Sequence, residues 1–140
     1  MKSLHPYIDF GGKCRDAMSF YKDIFHGELT ISTFAEFGVP VPEPMKDLAM
    51  HSELRADGLL LQASDGRPDQ PAQVGNNITL SLQLTDEAEQ TRIFNALARG
   101  GQVEQTLEDA PWGARFGMLT DRFAIRWLLN CPKPAIAPAS

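Results

Sequence analysis

The chain has 140 residues, with thirteen Lys and Arg against eighteen Asp and Glu, a net charge of −5. That balance excludes the concentrated basic face that phosphate neutralisation requires, so no nucleic-acid partner is expected. With 43% hydrophobic and 22% charged residues, it has enough apolar material for one domain of ordinary size or two small halves.

Cys14 and Cys131 are the only cysteines, too few for a four-cysteine zinc site or a disulfide framework. Residues 1–6 lack the long apolar core of a signal peptide, and no stretch approaches the length of a membrane span. The expectation is a cytoplasmic protein with no membrane partner.

In chain order, Tyr7 to Phe10 is short and β-prone, and Gly11-Gly12 ends it. From Cys14 the apolar residues at 14, 17, 18, 21, 24 and 25 lie on one face of a helix, which Gly27 is expected to stop in the left-handed conformation. Leu29 to Phe34 reads as a strand, and Pro40, Pro42 and Pro44 confine the next stretch to a loop. Leu48 to Arg55 and Leu59 to Ser64 form a hairpin around Asp57-Gly58, and 66–77 reads as a linker. Ile78 to Leu84 alternates as a strand, and Asp86 with Glu89 can cap a helix to about Arg99, stopped by Gly100-Gly101. Strands at Gln102 to Thr106, Ala114 to Thr120 and Ala124 to Asn130 follow, and 132–140 reads as a loose tail.

Both halves therefore read β-α-β-β-β, as modules of about 1–65 and 78–131. The helices match at an offset of 73: Phe20 with Ile93, Tyr21 with Phe94, Ile24 with Leu97, Phe25 with Ala98, Gly27 with Gly100. An internal repeat is the reading.

Strand parity assigns the faces. His5, Tyr7 and Asp9 share one side of the first strand. A two-residue turn at Asp57-Gly58 pairs Glu53 with Gln62 and His51 with Ser64, all four on one side, with Leu54, Leu61 and Ala63 on the other. In the second half, Thr79, Ser81 and Gln83 oppose Ile78, Leu80 and Leu82, and Arg126, Leu128 and Asn130 oppose Trp127 and Leu129. Each half thus has an apolar face able to bury its helix and a mixed polar face.

The sequence resembles the glyoxalase/bleomycin-resistance (vicinal oxygen chelate) superfamily, and within it the PhnB-like, demethylubiquinone methyltransferase-like branch. The resemblance is carried by residues 5–10 (HPYIDF) and 12–21 (GKCRDAMSFY), by His51, Ser64-Asp65, Trp112-Gly113 and Phe116-Gly117, and by residues 120–123 (TDRF) and Trp127. It spans nearly the whole chain. It implies an α+β fold of two βαβββ modules forming one glyoxalase-like domain over 1–131, a cupped mixed sheet, and a homodimer. The superfamily's enzymes hold a divalent metal with one ligand from each of four strands. That pattern falls at or beside His5, on Gln62, near Thr79 and on Leu128. Leucine cannot coordinate and threonine is a poor ligand, so no metal and no other cofactor is expected. The methyltransferase label finds no glycine-rich turn of a doubly wound sheet, because Gly11-Gly12 is an isolated pair.

The expected ligand is a small molecule held by His5, Tyr7, His51, Glu53, Gln62, Ser64, Trp112 and Arg126. His51 beside Glu53 has the make-up of a carboxylate-oriented base, or of a hydrogen-bonded cavity histidine. Arg126 is a fixed positive charge suited to an anionic or carbonyl-bearing ligand. Cys14, between Lys13 and Arg15, has the flanks that acidify a thiol, yet its place on the apolar stripe predicts a structural role. The alternatives are a metal-dependent lyase or dioxygenase using His5, His51 and Glu53 or Gln62, and a resistance-type protein that sequesters its ligand without chemistry. No catalytic residue is assigned.

Overall fold

The computed structural model describes residues 2–67 and 69–134. The chain divides into two compact units, the first ending at Gln73 and the second beginning at Val74.

The first unit runs β1 (Tyr7–Asp9), α1 (Cys14–Phe25), β2 (Glu28–Thr33), β3 (Ala49–Ala56) and β4 (Leu59–Ser64). Its sheet has the order β1-β4-β3-β2, with β1 parallel to β4 and the other pairs antiparallel. The second runs β5 (Leu80–Gln83), α2 (Glu87–Ala98), β6 (Gln102–Ala110), β7 (Ala114–Thr120) and β8 (Arg126–Pro132), in the matching order β5-β8-β7-β6. Two four-stranded mixed sheets, each with one helix, make an α+β fold. Both ends of α2 lie 73 residues beyond those of α1, the offset at which the two sequences match.

The α1 stripe is buried as its period requires: Cys14, Ala17, Met18, Tyr21 and Ile24 lie against the sheet side that carries Ser52, Leu54, Leu61 and Ala63. On α2, Gln90, Ile93, Phe94 and Leu97 are buried, and Leu119, Trp127 and Leu129 are buried within the same unit's sheet. Gln90 is the one polar member of that stripe. Its amide donates to the Arg115 carbonyl (2.8 Å) and the Leu129 carbonyl (3.1 Å) and accepts from the Arg115 guanidinium (3.2 Å), so its burial costs little.

The helix starts are built differently. Asp86 caps α2 locally, its carboxylate accepting from the Glu89 N–H at 3.1 Å. At α1 the capping position is Lys13, which makes no side-chain cap. The acceptor comes instead from Asp65, 51 residues away, whose Oδ1 takes the N–H groups of Gly12 and Cys14, both at 2.8 Å. Its Oδ2 takes the Ala49 N–H at 2.8 Å, and its own N–H donates to the Ala49 carbonyl at 2.8 Å. Asp65 is therefore a junction of the first unit. It joins the helix start, the head of β3 and the end of β4.

Several expected boundaries shift. The left-handed residue ending α1 is His26 (φ 54), and Gly27 keeps a negative-side backbone. Glycine is needed there for closeness, since a Cβ would stand 2.6 Å from the Arg55 carbonyl oxygen. The proline loop contains a short 3-10 turn, Glu43–Met45. β5 is shorter than the alternation suggested, leaving Ile78 and Thr79 outside it. β6 runs four residues further, to Ala110, with two register shifts against β7. β8 starts at Arg126, because Asp121 holds the preceding turn by accepting from the Phe123 and Ile125 N–H groups and the Trp127 indole. The expected tail therefore begins inside a strand, and its residues 135–140 lie outside the described residues.

Replacing Asp65 with alanine strands three backbone N–H groups at once. The Asp65→Ala variant should lose about 3 kcal/mol or more in chemical denaturation, at roughly 1–3 kcal/mol per stranded donor. Lys13→Ala, which removes no cap, should stay within about 0.5 kcal/mol of the parent.

Candidate functional site

In the first unit the register aligns Tyr7 with Gln62, Gln62 with Glu53, and Glu53 with Thr30. One row along, His51 pairs with Ser32. Because β-strand side chains alternate, these residues share the sheet face opposite Ser52, Leu54, Leu61 and Ala63, and so face away from α1. Tyr7 is 56% exposed and its ring lies 5.9 Å from that of half-buried His51, tilted by 34°. Among the described residues neither the His51 ring nor the Gln62 amide has a hydrogen-bond partner.

Glu53 does not orient His51. Its Oε1 accepts from the Arg55 guanidinium at 3.1 Å, an ion pair on the same face. Ser64 is buried at the end of β4, where its hydroxyl accepts from the Gly66 N–H at 3.0 Å. His5 precedes β1 and makes a 2.9 Å contact to the Ser3 hydroxyl.

In the second unit, the face opposite Trp127, Leu129 and Leu119 carries Ser81 and Gln83 from β5, Arg126, Leu128 and Asn130 from β8, and Phe116, Met118 and Thr120 from β7. Trp112, in the turn between β6 and β7, is 61% exposed. Its ring meets Phe116 edge-on at 5.1 Å, and its indole N–H donates to Asn130 Oδ1 at 3.3 Å. Arg126 is not an unpaired cation. Its guanidinium donates to Glu104 at 2.9 Å and to the Asn76 carbonyl, leaving only its buried Nε without a partner. Hydrogen bonds from Thr120 (2.6 Å) and Arg126 hold the Glu104 carboxyl below the ordinary carboxylate range.

Cys14 is a structural thiol. Ser52 donates its only hydroxyl proton to the Ala63 carbonyl (3.0 Å), so the Cys14 thiol, 3.1 Å from the Ser52 hydroxyl oxygen, is the donor between Cys14 and Ser52. Burial pushes the thiol up to about 11, opposite to the acidification its basic sequence neighbours suggested. Asp65 and Gln90 are the structural residues that sequence reading missed. Only the buried position of Gln90 on the α2 stripe carried a signal.

The four positions of the superfamily's metal pattern do not offer a donor set that fits. Leu128 lies in β8 with no donor atom, Thr79 lies outside β5, and only Gln62 places a donor on a polar sheet face. Among the described residues, no three His, Cys, Asp or Glu side chains are grouped to hold a metal ion.

A solved structure from Pseudomonas aeruginosa, protein PA1353, is similar to this chain at 38% identity and a TM-score of 0.86, over 96% of this chain and all of that one. A Bacillus cereus structure described as a putative 3-demethylubiquinone-9 3-methyltransferase, PhnB protein, is similar at 23% identity and a TM-score of 0.74, covering 93% and 99%. The fold is shared with the fosfomycin resistance protein FosX of Listeria monocytogenes, at 15% identity and a TM-score of 0.63 over 98% and 96% of the two chains. Paired βαβββ units with these likenesses define a glyoxalase/bleomycin-resistance fold. Residues 2–130 match the family described as 3-demethylubiquinone-9 3-methyltransferase, and the chain belongs to that family.

The division of faces predicts contrasting variants. His51→Ala and Gln62→Ala should stay within about 1 kcal/mol of the parent in thermal or chemical denaturation, since neither side chain is hydrogen-bonded to the described residues. Leu61→Ala, at 3% exposure, should cost about 2–5 kcal/mol by opening a core cavity. The reverse order would mean the faces are misassigned.

Proposed function

We propose that this PhnB-like protein binds a small organic molecule on the sheet faces turned away from its helices, through hydrogen bonds and ring contacts, without the superfamily's four-ligand metal site. The observation that carries this reading is the group Tyr7, His51 and Gln62: an exposed ring beside a half-buried imidazole and an amide, both without hydrogen-bond partners among the described residues. Half-buried polar groups left unbonded contribute little to folding and are suited to a ligand's donors and acceptors. The metal half of the proposal follows from donor chemistry at Thr79 and Leu128.

Methyl transfer, named in the family's description, is not extended to this chain. Both units are mixed sheets with antiparallel hairpins, and the cofactor turn of the common methyltransferases belongs to a parallel, doubly wound sheet. The pairing of Glu53 with Arg55 favours sequestration over catalysis, because it leaves His51 without a carboxylate to orient it as a base.

A thermal-shift screen of small molecules against the parent, His51→Ala and Gln62→Ala tests the reading. Compounds that stabilise the parent should bind both variants about tenfold more weakly, the loss of one or two hydrogen bonds. Elemental analysis should find no stoichiometric divalent ion. Compounds that bind the variants as well as the parent, or about one metal per chain lost on mutating His5 or His51, would contradict it.

A further inference from the structure

The polar face of the second unit carries a hydrogen-bond chain that runs in one direction. The Trp112 indole donates to Asn130 Oδ1 (3.3 Å), Asn130 Nδ2 donates to Gln83 Oε1 (3.0 Å), and Gln83 Nε2 donates to the Ser81 hydroxyl oxygen (2.8 Å). Each amide nitrogen in that chain keeps a second N–H, and Ser81 keeps its hydroxyl proton, so unused donors line the row. The indole itself is fixed at two points, by Asn130 and by the edge of Phe116, while most of its surface remains in solvent. Holding a large exposed aromatic in one orientation lowers the entropic cost of stacking another ring on it.

The row is also uncharged. Between β5 and β7 it holds Gln83, Asn130 and Phe116, and the adjacent row holds Ser81, Leu128 and Met118. The flanking charges are Glu108, beyond Phe116 on the β6 edge, and Arg126, already paired with Glu104. An anionic ligand would meet the Glu108 carboxylate and find no unpaired guanidinium.

We infer that Trp112, Asn130, Gln83 and Ser81 form a binding site for a neutral, planar ring bearing carbonyl-type acceptor oxygens. The ring stacks on Trp112 and its oxygens take the spare amide and hydroxyl donors. This assignment rests on the small-molecule reading above and names the ligand class. Of the two ligand types that Arg126 suggested, anionic or carbonyl-bearing, it keeps the second and drops the first.

The test uses 2-quinolone, a neutral planar lactam, titrated by calorimetry into the full chain. Its comparison probes are quinoline-2-carboxylate, planar but anionic, and 2-piperidone, a lactam without the aromatic ring. Saturable 2-quinolone binding is expected, with both comparison probes about tenfold weaker. Trp112→Ala should weaken 2-quinolone about tenfold or more, the scale of losing one stacked ring. Asn130→Asp keeps the acceptor for the indole but removes both amide donors, the spare one and the one given to Gln83, and should also weaken it several-fold. Phe37→Ala, an exposed aromatic outside this row, should have no effect, and the emission of buried Trp127 reports that each variant is folded. No saturable 2-quinolone binding, equal binding of the carboxylate, or an unchanged Trp112→Ala would overturn the assignment. If His51→Ala weakens 2-quinolone and Trp112→Ala does not, this site is wrong while the broader function stands.

Discussion

The carboxylate of Asp65 is the point on which the first unit depends. Its two oxygens accept three backbone N–H groups, from Gly12, Cys14 and Ala49, while its own N–H returns a bond to Ala49. One side chain thereby sets the start of α1, the head of β3 and the exit of β4, three segments far apart in sequence. An ionised acceptor at a helix start satisfies otherwise stranded donors and complements the helix dipole. Gly12, at φ 104, gives the backbone the bend that brings its own N–H and that of Cys14 to one oxygen. With the helix start pinned, Cys14 meets Ser52, and the α1 stripe falls on the apolar side of the sheet.

Fixing that side also fixes the other. A strand's side chains alternate, so once Leu54, Leu61 and Ala63 face α1, Glu53, Gln62 and Tyr7 must face away. The second unit repeats the division with different chemistry. Its helix-side polar group, Gln90, is fully satisfied by Arg115 and Leu129, while its opposite face carries Trp112, Asn130, Gln83 and Ser81. Stability therefore resides on the helix sides, and the proposed recognition falls to the other faces, so variants of the two classes should separate cleanly.

Much of this was legible in the sequence because it is periodic or local. The helices followed from their apolar spacing, and their matching lengths from the offset of 73. The hairpin register followed from Asp57-Gly58, which permits a two-residue turn and so pairs Glu53 with Gln62. Long-range polar contacts were not legible. Nothing near Lys13 announces that its helix is capped by Asp65, and nothing in Arg126 announces Glu104 across a strand whose register shifts twice. β6 was read too short because none of residues 107–110 is buried, and an edge strand needs no apolar alternation. Gly27 was read as a conformational residue when its role is close packing against Arg55. In the candidate sites, parity placed Tyr7, His51, Glu53 and Gln62 on one face, but the partners that decide their chemistry came only from coordinates.

The most direct measurement is chemical-shift mapping of the labelled chain against a library of small organic fragments. Bound fragments should perturb Tyr7, His51 and Gln62 or Trp112, Asn130 and Gln83, leaving the helix-side residues Leu54, Leu61, Leu119 and Leu129 unmoved. Perturbations confined to the outer surfaces of α1 and α2, with both polar faces silent, would contradict it.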